Sequence, residues 1–168
     1  MNTAKSREWR MPEDDERGPM TMEERAVWVY LVVFLATSIT YFAIVIPRAV
    51  EGPIEDVSWV VPMLWAIGIS IVGTIVGSIV AAIASAIGLA ARGRDPEVEL
   101  GSDERDKEIN RLGSRATYGV VSAGLLAVLA LAMVDADTFW IGNVAFLAGF
   151  VGALVEAFVK IRAYRRGF

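Results

Sequence analysis

The chain contains no cysteine and no histidine among its 168 residues. Without cysteine there is no disulfide framework, no thiolate metal site and no cysteine nucleophile. Without histidine the usual zinc sites and any histidine-based triad are excluded. No Gly-rich phosphate loop and no nucleophile motif takes their place. The sequence therefore offers no catalytic, cofactor-binding or metal-ligating residue and reads as a non-enzymatic protein. Positive charge is scarce as well. Sixteen Lys and Arg stand against 20 Asp and Glu, a net of -4, which is not the footprint of direct nucleic-acid binding.

Charge is missing altogether from four long stretches. Ala26 to Ile46 runs 21 residues without a charge, Val57 to Ala91 runs 35, Ala116 to Val134 runs 19 and Thr138 to Val155 runs 18. A bilayer core about 30 Å thick needs roughly 20 apolar residues in a helix, and lipid leaves the backbone no other way to satisfy itself within one segment. The fold class that follows is all-α, an integral membrane four-helix bundle of two antiparallel transmembrane hairpins. Residues 1–20 read as a flexible acidic tail and 21–168 as a four-span membrane domain. Its helices are expected at about 21–47, 57–91, 102–134 (with a lead-in helix and a candidate break at Gly113) and 138–164. The second window, at 35 residues, would reach about 52 Å as a straight helix and must tilt or leave the hydrocarbon.

The basic residues show which way the chain faces. In this topology 15 of the 16 Lys and Arg fall on one side, with only Arg48 on the other. The positive-inside rule then places both termini and the central loop in the cytoplasm of a cell membrane. The outer loops are short and acidic, with Glu51, Glu55, Asp56, Asp135 and Asp137. Trp28, Trp59, Tyr118 and Trp140 lie near the window ends, where amphipathic rings favour the membrane interface. Thr21-Met22-Glu23-Glu24 is a capping box that starts the first helix in the cytoplasm. In the central loop Ser102 suits an N-cap, and Asp103 and Lys107 are spaced i,i+4. The loop reads either as a solvated connecting helix or as a docking surface for a cytoplasmic partner.

Small residues form stripes within the spans. The second window carries Ser70, Gly73, Thr74, Gly77 and Ala81, continuing to Ala84 and Gly88. The third offers Gly119, Ala123, Ala127 and Ala130, and the fourth Gly142, Ala145, Gly149 and Gly152. Such stripes let helix backbones approach within the bundle or across a homodimer. Glu156 is the one ionisable residue inside an apolar pattern. Lys160 follows it at i+4 in the favourable order, so a structural ion pair stands beside a coupling carboxylate as its reading. Asn143 suits an interhelical hydrogen bond.

Two segments carry a resemblance. Asp103-Glu104-Arg105-Asp106-Lys107-Glu108-Ile109 is followed by Arg115-Ala116-Thr117-Tyr118, and the chain closes on Tyr164-Arg165-Arg166-Gly167-Phe168. These resemble a family of small prokaryotic four-helix integral membrane proteins of unknown function. The family has a "DERDK" segment before the third helix, a late Glu in the fourth and a "YRRGF" ending. The resemblance covers mainly 102–168. It implies a prokaryotic cell membrane, no assigned chemistry, and a cytoplasmic regulator as partner, because the genes of such proteins often lie beside a small helix-turn-helix regulator. The expected partners are membrane lipid, that regulator or another membrane subunit, and a second copy. The alternative is a small proton-coupled transporter or channel using Glu156. The acids that begin the central helix are expected to meet Arg162, Arg165 and Arg166.

Overall fold

The computed structural model describes residues 20–93 and 104–166. Four long helices make up nearly all of them: α1 (Met22–Glu51), α2 (Val60–Ala90), α3 (Glu104–Met133) and α4 (Thr138–Arg166). A 3₁₀ turn at Ile54–Asp56 joins the first pair, and no strand occurs among the described residues. All four helices are long and apolar enough to cross a membrane. The acidic tail and Ser102 lie outside the described residues.

Local chemistry sets the helix ends. Thr21 caps α1, its hydroxyl accepting from the Glu24 amide at 3.2 Å. α1 runs past the expected end at 47 to Glu51, with Pro47 inside its last turns. A proline there costs one backbone bond close to a terminus that frays anyway. Pro62 sits in the first turn of α2, where its missing N–H would have had no helical partner. α3 ends in a Schellman pair, with the Ala136 amide on the Leu131 carbonyl at 3.0 Å and the Asp135 amide on that of Ala132 at 3.3 Å. Asp135 takes the left-handed conformation this motif requires, at φ 52°. Asp137 then accepts from the Phe139 amide at 2.7 Å as α4 begins.

The helices pack in the order α2–α1–α4–α3. α1 lies against α2 and α4, α4 lies against α3, and α2 makes no comparable contact with α3 or α4. The α1–α4 seam is aromatic. Tyr41 meets Phe146 at 4.7 Å between ring centroids, and Phe42 meets Phe146 and Phe150. Trp59 and Phe139 close this core near the hairpin turns, and the Trp59 ring lies against Gly142. The two flanking helices are dominated by exposed apolar side chains, among them Leu64, Ile71 and Val80 of α2 and Leu125, Leu126 and Met133 of α3. Faces this wide are far larger than the patches soluble monomers leave in water.

Each contacting pair also has a polar tie. The hydroxyls of Thr37 and Ser70 lie 2.6 Å apart between α1 and α2. Tyr41 donates to Asn143 Oδ1 at 2.8 Å between α1 and α4. Thr117 donates to the Gly152 carbonyl at 3.2 Å between α3 and α4. Backbones approach at only some of the expected glycines. Gly73 and Gly77 receive Val33 and Val29 of α1, and Gly152 receives Val121 and Thr117, while Gly124, outside the expected stripe, receives Ala148. Gly149 and the row Gly119, Ala123, Ala127 and Ala130 face outward instead. The contact face of α3 is Asp106, Ile109, Gly113, Thr117 and Gly124, which corrects the expected stripe. Nor does α3 break at Gly113. The helix continues because Gly113 is buried where the methylenes of Lys160 cross it.

Candidate functional site

Two features lie at the end of the molecule where α1 and α3 begin and α2 and α4 finish. The first is a clasp. The first turns of α3 dock against the start of α1 and the close of α4, burying Ile109 and Asp106, at 0% and 1% exposure. A carboxylate so enclosed needs donors. Tyr164 of α4 supplies one at 2.8 Å and Thr21 another at 3.4 Å, so Asp106 ties three helices together. Thr21 thereby acts twice, its oxygen capping α1 and its hydrogen reaching across to α3. Arg105 adds a bond from Nη2 to the Tyr164 carbonyl at 3.4 Å.

Of the three arginines expected to meet the acids that begin the central helix, the Arg166 side chain lies outside the described residues. Tyr164 holds the acid of α3, while Arg165 stacks over the Trp28 ring at 5.4 Å and Arg162 is exposed. Asp103 lies outside the described residues, and Lys107 pairs with Glu104 at 2.6 Å. Glu104, Arg105, Lys107, Glu108, Arg111 and Arg115 remain exposed, so the docked segment presents a fixed charged surface. The roles of Tyr164 and Thr21 were missed from sequence. The signal was the 3- and 4-residue spacing of Asp106, Ile109, Gly113 and Thr117, which puts the acid on the apolar contact face.

The second feature is a groove of about 650 Å³ bounded by α1, α2 and α4, with Asn110 of α3 at its rim. It exists because α2 leans on α1 alone. Small residues of α2, Thr74, Ser78, Ala81 and Ala82, form one wall, and Tyr30 and Val27 of α1 the floor. Glu156 and Lys160 form the opposite wall, joined at 2.6 Å with side-chain exposures of 26% and 14%. Glu23 and Arg25 stand at the α1 edge. Arg25 pairs with no carboxylate among the described residues. Asn143 is remote from this groove, engaged with Tyr41 and with the Phe139 carbonyl. Among the described residues no three His, Cys, Asp or Glu side chains could hold a metal ion. No family model, curated protein or solved structure matches the chain.

Proposed function

We propose that the chain is a multi-pass, non-enzymatic protein of a prokaryotic cell membrane, with both termini in the cytoplasm. In this reading it serves as a structural or regulatory partner of a cytoplasmic regulator or of another membrane subunit. The observation that carries the reading is the clasp. Burying Asp106 among Tyr164 and Thr21 fixes the charged turns of α3 against the membrane domain and holds their exposed face in one orientation. A pre-ordered surface binds without the entropic cost of ordering a loop. The uneven distribution of Lys and Arg supports the orientation.

The test is a photo-crosslinker at Glu108 or Arg111 in the chain's own cells. One partner should be captured at both positions, and capture from Glu108 should be lost in the double variant Lys107→Glu, Arg111→Glu. Capture of nothing, or capture unaffected by charge reversal, overturns the reading. The groove at Glu156 favours a second reading, a small proton-coupled transporter or channel. Proton-driven flux in liposomes that falls in Glu156→Gln would support it. Equal flux in both proteins removes Glu156 from any mechanism.

A further inference from the structure

The groove combines features that single out one class of ligand, and we propose that it holds the phosphate-bearing headgroup of an inner-leaflet phospholipid. Its rim is rich in donors. Arg25 carries five N–H groups and no ion-pair partner among the described residues. Lys160 spends one ammonium proton on Glu156 and has two left. Asn110 offers an amide. A phosphate suits such a cluster better than a single carboxylate does, because its several oxygens can accept from Arg25, Lys160 and Asn110 together.

Polarity changes with depth in the order a lipid requires. The charges of Glu23 and Arg25 belong to the first turn of α1. Tyr30 lies five residues, about 7.5 Å, further along the axis. The wall facing it is the small-residue face of α2, where Thr74 and Ser78 are the polar groups among alanines. A headgroup at the rim would place its glycerol and upper chains against that wall, and the chains would continue along the exposed apolar faces of α2. The volume falls within the roughly 300–1,000 Å³ of small-molecule sites. Two cations and two carboxylates line the groove, so a zwitterionic headgroup suits it. The phosphate meets Arg25 and Lys160, and the ammonium meets Glu23. The site requires the membrane placement but not a protein partner, so it stands or falls apart from the regulatory reading.

Phosphatidylethanolamine is therefore the probe, with diacylglycerol of the same chains as its phosphate-free counterpart and free glycerol phosphate as its chain-free one. The full chain in mild detergent, followed by native mass spectrometry, should retain one phosphatidylethanolamine and neither counterpart. Arg25→Ala should weaken retention about tenfold, the weight of one charged hydrogen bond, while Arg25→Lys keeps most of it. Ser78→Leu, which fills the groove and leaves every charge in place, should also expel the lipid, so the proposal does not depend on one variant folding. Equal retention of diacylglycerol, binding of free glycerol phosphate, or full retention by both Arg25→Ala and Ser78→Leu overturns it. So does a dimer that Ser78→Leu converts to monomer, since the groove would then house a second copy.

Discussion

Asp106 sits in a run of charged residues, yet among the described ones it is the one turned inward, and two hydroxyl partners reach it from opposite ends of the chain's described part. Asp106→Ala leaves the Tyr164 hydroxyl without that acceptor, and the loss should be about 1–3 kcal/mol in a detergent unfolding titration. Asp106→Asn keeps a carbonyl oxygen and should lose less. Gly113 makes a different demand. A Cβ there would lie 2.6 Å from Cε of Lys160 and 3.2 Å from Cγ of Glu156. The Lys160 Cγ would stand 2.8 Å away as well, so Gly113→Ala should displace the lysine stem and weaken the ion pair. Gly113→Leu should cost about 1–3 kcal/mol by forcing α3 off α4, read from the same titration.

At the scale of the helices, the absence of native cysteine makes pairwise cross-linking clean. A Cβ at Gly77 would stand 4.0 Å from Cβ of Val29, within the roughly 3.5–4.5 Å spacing of disulfides. Gly77→Cys with Val29→Cys should therefore oxidise to a cross-link between α1 and α2. Ile75→Cys with Leu126→Cys, on the exposed faces of α2 and α3, should not; electrophoresis with and without reductant distinguishes them. The helices themselves were legible in the sequence, because a charge-free run of bilayer length admits one regular structure. Their faces were less so. α3 carries small residues on two sides, and spacing alone does not say whether Gly119 or Gly124 meets a neighbour; that choice rests on where Ala148 of α4 falls. The Glu156–Lys160 pair was legible from its i,i+4 order, whereas the groove beside it was not. The groove arises from α2 leaning away from α4, a tertiary fact that no local pattern records.

For the whole molecule, the topology can be tested directly. Asp135→Cys should react with an impermeant thiol reagent on intact cells, and Lys107→Cys only after permeabilisation. The opposite pattern would invert the proposed orientation and put the clasp on the outer side, where a cytoplasmic partner could not reach it. The packing order α2–α1–α4–α3 also bears on how the protein is made. The central seam joins the first described helix to the last, so the aromatic contacts of Tyr41 and Phe42 have no partner until α4 has been synthesised. At roughly 5–20 residues per second, the ribosome leaves the α1–α2 hairpin waiting for several seconds with that seam bare. In the proposed membrane placement the two hairpins would insert in turn and then join, and a chain stopped before α4 would leave bare the surface that its own last helix covers.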